Sequence, residues 1–165
     1  SSVIQILKSV PWVLTSDNGD DIATGGAGND ALIGENGNDR LVGQAGNDRL
    51  YGGNGHDVIQ AGAGDDLIIG GRGDDVIRPH QGDDTLLYQR GDNGADTVYN
   101  FSGKHDVLSF EGTGISIDDL FLSVEESDLR IQIQMDDIQA DIRLVNRAWY
   151  MPDDDDEKSL DWLVF

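Results

Sequence analysis

From Ser16 to Leu87 the chain counts in nines without an insertion: SDNGDDIAT, GGAGNDALI, GENGNDRLV, GQAGNDRLY, GGNGHDVIQ, AGAGDDLII, GGRGDDVIR and PHQGDDTLL. Three positions do not vary in type. The fourth is glycine (Gly19, Gly28, Gly37, Gly46, Gly55, Gly64, Gly73, Gly82), and the sixth is aspartate (Asp21, Asp30, Asp39, Asp48, Asp57, Asp66, Asp75, Asp84). The eighth is apolar throughout: Ala23, Leu32, Leu41, Leu50, Ile59, Ile68, Ile77 and Leu86.

Each regularity has its own physical use. Glycine permits a tight turn with positive φ or a close backbone approach, and aspartate supplies a ligand or a turn hydrogen bond. The last three residues of a unit suit a short strand whose middle side chain points inward. A nine-residue unit cannot bury a face alone, so the units must stack, with strands about 4.8 Å apart along the stack. One unit is too short to circle a core, whereas two facing units make an eighteen-residue coil. Alternate aspartates then fall on opposite edges, with Asp21, Asp39, Asp57 and Asp75 in one column and Asp30, Asp48, Asp66 and Asp84 in the other. The expected fold is all-β.

Composition sharpens the problem. The formal net charge is −21 over 165 residues, and a column of bare carboxylates at strand spacing repels itself. A divalent cation between consecutive members reverses the sign of that interaction. Carboxylates and turn carbonyls are hard oxygen ligands and suit calcium, whose shells hold about 6–8 oxygens in irregular arrangement. There is no cysteine, and His56, His80 and His105 stand apart, which leaves a transition metal nothing comparable.

These units resemble the GGxGxD nonapeptides of RTX (repeats-in-toxin) proteins, the haemolysin-type calcium-binding repeat. The resemblance implies a right-handed parallel β-roll. It implies that the sixth-position aspartates ligate Ca²⁺ through their side chains, with turn backbone carbonyls around Gly28, Gly37, Gly46, Gly55, Gly64, Gly73 and Gly82 completing each shell between a unit and the one two places on. Three consecutive pairs in each column give six complete sites, with half-sites at the ends. Ser16 and Asp17 depart from glycine in the first unit, and Pro79 and His80 in the last. Ala61, Glu35 and Gln44 are milder departures, tolerable only where the backbone angle does not demand glycine or the side chain points outward.

Other readings of the same stretch fail on pattern. A disordered Gly/Asp linker would not keep eight apolar eighth positions. GGAGND contains Gly-x-Gly, yet no Gly-Lys-Ser/Thr ending or following helix accompanies it, so it is not a nucleotide loop. The helix–loop–helix spacing of an EF-hand is missing. No run of Lys or Arg exists to displace counterions from nucleic acid. Without cysteine there is no disulfide framework. No apolar run spans a bilayer, and residues 1–14 lack the basic head and cleavage pattern of a leader.

A stack of coils has open ends that repeat proteins cover with atypical caps. Residues 1–15 are expected to cover the first coil, with Trp12 and Val13 packing on it, and Pro11 limits any helix there to little more than two turns. The repeat proper is 16–87, and 88–165 forms a β-rich cap. The nine-residue register fails after Leu87, since Asp96 follows Asp84 by twelve residues. Alternating stretches replace it: TVYNF (97–101), DVLSF (106–110), DLFLSV (119–124), DLRIQIQM (128–135) and DIQADIRLV (137–145). Leu129, Ile131, Ile133 and Met135 share one face, as do Ile138, Ala140, Ile142 and Leu144, with a hairpin turn at Met135–Ile138 and an apolar face for the last coil. Asp96 and Asp106 stand as extra oxygen donors near that end, with turn capping as their alternative role. Asp153–Glu157 reads as a solvated acidic loop, and Trp162, Val164 and Phe165 as a last strand that packs back.

This second half is similar to the flank that follows repeat blocks in RTX toxins and adhesins, where it caps the roll and promotes its ordering on calcium. No nucleophile, base and orienting group stand together, so a catalytic site is not expected. The expected function is a calcium-induced folding module of a larger secreted bacterial protein, toxin or adhesin. It would be expanded in the cytosol, passed by type I secretion machinery and folded outside the cell, with calcium ions and the remaining domains as partners and no membrane span. The alternative is a carbohydrate-binding accessory module of a secreted polysaccharide-modifying enzyme, for which Arg40, Arg49, Tyr51, Arg72 and Arg78 are the candidate row. Arg40 and Arg49 hold the seventh position of successive units and so fall on opposite sheets.

Overall fold

The computed structural model describes residues 3–5, 13–89, 91–101, 106–125, 128–135, 138–145 and 163–165. Pro11, Trp12, His105, Trp162, the two residues of the hairpin turn between Met135 and Ile138, and the Asp153–Glu157 block lie outside them.

Sixteen strands follow in chain order: β1 (Val3–Gln5), β2 (Val13–Thr15), β3 (Ile22–Ala27), β4 (Ala31–Asn36), β5 (Arg40–Ala45), β6 (Arg49–Asn54), β7 (Val58–Ala63), β8 (Leu67–Arg72), β9 (Val76–Gln81), β10 (Thr85–Leu87), β11 (Gly94–Tyr99), β12 (Val107–Ser109), β13 (Leu120–Glu125), β14 (Asp128–Met135), β15 (Ile138–Val145) and β16 (Leu163–Val164). Strands β1 to β12 alternate between two sheets, after which β13, β14 and β15 all join the first and β16 the second. The nine-stranded sheet has the order β1-β3-β5-β7-β9-β11-β15-β14-β13, and the seven-stranded sheet has the order β16-β12-β10-β8-β6-β4-β2. Parallel pairing of β3 with β5 sets Ile22 opposite Arg40, and β4 with β6 sets Ala31 opposite Arg49. The coil is therefore eighteen residues, and the chain is a parallel β-roll.

The strands are longer than the three residues expected of a unit. Each full strand runs through the seventh, eighth and ninth positions and on through the first three of the next unit, six residues in all. The pairing skips the first position: β3 and β5 are in register at Thr24–Val42 and again at Gly26–Gln44.

The eighth positions form the core. Leu32, Leu41, Ile59, Ile68 and Ile77 are wholly buried, each worth about 1.5–3 kcal/mol relative to exposure. The ladder continues past the repeats through Val98, opposite Ile77, and Leu108, opposite Leu86. The register break after Leu87 therefore conceals two further half-coils, because insertions of three and four residues are accommodated in the loops. Val76 pairs with Thr97, twenty-one residues on, and Thr85 pairs with Val107, twenty-two on.

Both ends extend the sheets. At the start, β1 pairs with β3 and β2 with β4, so the first residues add a rung to each sheet. Val13 was expected to pack, but it is 71% exposed, and Leu14 beside it is buried. The cause is strand alternation, which points successive side chains to opposite faces. At the other end, the β-rich segment does not lie across the last coil by its face. It continues the nine-stranded sheet, with β15 parallel to β11 over six residues and β14 and β13 returning antiparallel. Leu129, Ile131, Ile133, Ala140, Ile142 and Leu144 are buried and join the same core as the roll. The β14–β15 pairing brings Met135 opposite Ile138, as the hairpin reading requires. Strand β16 pairs with β12, and the Phe165 ring stacks on Phe110 at 5.7 Å.

Candidate metal centre

Two turn columns flank the core, each built from the same hydrogen bond. The amide of Asp21 donates to Oδ1 of Asp39 at 2.8 Å, that of Asp39 to Asp57 at 2.7 Å, and that of Asp57 to Asp75 at 2.9 Å. On the opposite edge the amides of Asp30, Asp48 and Asp66 donate to Asp48, Asp66 and Asp84 at 2.8, 2.7 and 2.9 Å. The columns do not end with the repeat. Asp75 donates to Oδ1 of Asp96 at 2.9 Å, and Asp84 donates to Oδ1 of Asp106 at 3.1 Å. Each edge therefore carries five aspartates, partitioned as the eighteen-residue coil requires.

From Asp39 and Asp48 onward, one oxygen of each carboxylate is fixed by that rung, and the other is the chemically informative one. The Oδ2 atoms of Asp39, Asp48, Asp57, Asp66, Asp75 and Asp84 are buried without a hydrogen-bond partner, in residues at most 3% exposed. A buried, unsatisfied carboxylate oxygen is strongly disfavoured unless a proton or a cation meets it. Burial pushes these acids up against the opposing effect of the amide bond: Asp48, Asp57 and Asp84 to about 6, Asp66 to about 7 and Asp75 to about 8. The neighbouring carboxylates of the same column push in the same direction as burial.

The space beside Oδ2 exists because position one is glycine. A Cβ built on Gly34 would lie 2.6 Å from Asp39 Oδ2 and 2.3 Å from the carbonyl oxygen of Gly52, in the next coil. On Gly52 it would lie 2.4 Å from Asp57 Oδ2 and 2.5 Å from Gly70 O. A carboxylate oxygen and a neighbouring carbonyl thus converge on one point, and nothing but oxygen faces it closely. The fourth-position glycines serve another end. Gly55 has φ +137, and a Cβ there would come 1.9 Å from Gly37 O, so the coils approach too closely for a side chain.

Among the described residues, no group of three or more His, Cys, Asp or Glu side chains converges on a metal-sized site. Carboxylates alone do not make a shell, and backbone carbonyls have to supply most of it. That donor set, oxygen only and mixed carboxylate and carbonyl, fits calcium and not a softer metal.

Three features of the turns escape a reading of composition. The carbonyls that converge with Oδ2 come from position one, where the resemblance pointed to the fourth-position glycines. From the second unit on, position two lies in the left-handed region whatever its residue, with Glu35 at φ 70, Gln44 at 84 and His80 at 83; all three side chains are exposed, which is how these departures from glycine are accommodated. Position five forms a second ladder of opposite sense, in which the amide of Asn38 donates to Asp20, that of His56 to Asn38, that of Asp74 to His56 Nδ1 and that of Ala95 to Asp74. The sequence signal for it was present, since all eight fifth positions carry an acceptor: Asp20, Asn29, Asn38, Asn47, His56, Asp65, Asp74 and Asp83.

The basic row is split between the sheets. Arg40 on β5 bonds Gln60 at 2.8 Å, and Arg78 on β9 stands over the Tyr99 ring at 4.9 Å, while Arg49, Tyr51 and Arg72 belong to β6 and β8 on the other sheet. A polar hollow of about 260 Å³ lies where β11 meets the hairpin, and its arginines, Arg130 and Arg143, are ion-paired with Asp141 and Asp128. Among the described residues no helix is long and apolar enough to cross a membrane.

Residues 15–50 and 51–86 each match the RTX calcium-binding nonapeptide repeat in its four-copy form. Residues 15–86 thus match a calcium-binding repeat, and the same residues are wound as a parallel β-roll. No curated protein matches the chain. Among solved structures it is similar to the AlgE6R3 subunit of the Azotobacter vinelandii mannuronan C5-epimerase, at 19% identity and a TM-score of 0.31, over 84% of this chain and 73% of that one. A likeness that remote carries no functional weight.

Proposed function

We propose that calcium is held between successive coils by the sixth-position aspartates, and that its binding folds the module. The observation that carries this reading is the buried, partnerless Oδ2 of Asp39, Asp48 and Asp57 beside a glycine that leaves the space open. In it, Asp Oδ2 and the position-one carbonyl of the next coil face the ion, with fourth-position turn carbonyls completing the shell. The ion neutralises an edge that otherwise stacks like charges, so the folded state is stabilised by whatever binds it and not the unfolded chain.

Residues 16–87 are the binding segment, 1–15 its cap at the start and 88–165 the cap at the end. Asp96 and Asp106, set in the columns by Asp75 and Asp84, align the last rungs. The module belongs to a larger secreted bacterial protein of the toxin or adhesin kind. Its net charge of −21 keeps it expanded in a calcium-poor cytosol, where type I secretion machinery can pass it, and extracellular calcium at about millimolar concentration closes the roll. The split of Arg40 and Arg78 from Arg49 and Arg72 removes the continuous row that sugar binding would use.

Thermal unfolding of the chain in chelator, in magnesium and in calcium tests the reading. Calcium is expected to produce a cooperative thermal transition that the chain in chelator lacks, and magnesium to do little, since magnesium demands a smaller, near-octahedral shell. Equal stabilisation by both cations at equal ionic strength would reduce the effect to charge screening.

A further inference from the structure

The eight repeat aspartates leave six inter-coil spaces, and these are not alike. In four of them the missing Cβ of a position-one glycine points at both an aspartate oxygen and a carbonyl of the next coil. The pairs are Asp30 Oδ2 (2.7 Å) with Gly43 O (3.0 Å) at Gly25, and Asp39 Oδ2 (2.6 Å) with Gly52 O (2.3 Å) at Gly34. At Gly43 they are Asp48 Oδ2 (2.3 Å) with Ala61 O (2.5 Å), and at Gly52 Asp57 Oδ2 (2.4 Å) with Gly70 O (2.5 Å).

The other two spaces are filled by the protein. Between Asp21 and Asp39 position one is Ser16, which is buried, and its hydroxyl donates to Gly34 O at 2.8 Å, the carbonyl equivalent to those that face the open cradles. Between Asp66 and Asp84 position one is Ala61, wholly buried, whose methyl stands where glycine leaves room. Beyond the repeats the same closure continues. At Gly70 the three nearest atoms are Asp75 Oδ2, Asp75 Cγ and Ile77 Cδ1, with no carbonyl among them. Asp96 Oδ2 accepts from the buried Tyr88 hydroxyl, and position one before Asp84 is the buried Pro79.

We infer that the position-one residue selects which spaces take calcium, so that the six spaces hold four ions, flanking Asp30/Asp48, Asp48/Asp66, Asp39/Asp57 and Asp57/Asp75, while Ser16 and Ala61 close the remaining two. An ion that bonds both converging oxygens has a first shell which a side-chain atom at that point invades, so a single methyl suffices. This rests on the reading that the sixth-position aspartates bind calcium. It makes the ion column end where the chain itself supplies a hydroxyl or a methyl, which keeps the last coils paired without a cation.

Equilibrium dialysis of the whole chain against labelled calcium, read as the change in tightly bound ions, tests it. Ala61→Gly and Ser16→Gly are each expected to gain one ion over the parent, and Gly43→Ala to lose one. Asp57→Ala tests the underlying reading by itself, since it must lose bound calcium if the aspartates are ligands. Loss in Asp57→Ala with no gain in either glycine variant would overturn position-one selection and leave the aspartate reading standing. No loss in Asp57→Ala would remove both. Because Gly43→Ala risks misfolding, the gain-of-ion variants decide the matter, and their circular dichroism in saturating calcium reports that they are folded.

Discussion

The amide of Asp39 donates to Oδ1 of Asp57, eighteen residues on, at 2.7 Å, and leaves the Oδ2 of Asp57 buried beside Gly52. One side chain thus performs two tasks: its first oxygen sets the spacing of the coils, and its second is kept for something that is not protein. That division repeats along each edge.

Two double-mutant cycles test the columns. Asp39→Ala with Asp57→Ala removes neighbours on one edge, whereas Asp48→Ala with Asp57→Ala removes residues on opposite edges. The first pair is expected to show a coupling of about 1 kcal/mol or more in calcium-dependent stability, and the second to be additive within about 0.5 kcal/mol. A larger coupling for the opposite-edge pair would contradict the winding.

The raised acids give a pH dependence with a definite sign. Asp48, Asp57 and Asp84 at about 6, Asp66 at about 7 and Asp75 at about 8 hold protons in the folded chain that an unfolded aspartate, near 3.8, has released. Stability without calcium is therefore greatest below about pH 4 on this account and falls as pH rises through about 8. The β signal of the chain in chelator should therefore be larger at pH 5 than at pH 7.5. Calcium competes with the same protons, so its affinity should rise across that window. A β signal in chelator that increases from pH 5 to 7.5 would contradict the burial of these carboxyls.

Glycine at position four and at position two should respond differently to substitution. Gly55→Ala places a methyl 1.9 Å from Gly37 O at φ +137 and is expected to destabilise by more than about 2 kcal/mol. Glu35→Gly relieves a left-handed non-glycine residue whose side chain is exposed, and should stabilise by up to about 1 kcal/mol. Chemical denaturation in saturating calcium measures both.

Much of this was legible in the residues. The parity that sends Asp39 and Asp57 to one edge and Asp48 to the other follows from counting, and so do the inward Leu41 and Ile59. The strand runs at 128–135 and 138–145 are visible in their alternation. What counting does not see is where the chain returns after a loop. Asp96 and Asp106 look out of register because three or four residues are inserted before them, yet hydrogen bonding depends only on the returning strand, and both rejoin their columns. Likewise the sequence distinguishes Gly34 from Ala61 by one methyl and gives no sign that the methyl is wholly buried. Val13 and Leu14 are equally apolar, and only pairing with β4 decides that Leu14 is inside.

The central claim is that calcium and the roll form together, and far-ultraviolet circular dichroism of the chain during a calcium titration from chelator tests it most directly. The account predicts a largely unordered spectrum in chelator at pH 7.5 and a cooperative gain of β signal as calcium is added, reversed by renewed chelation. A chelator spectrum already fully β and unchanged by calcium would contradict it.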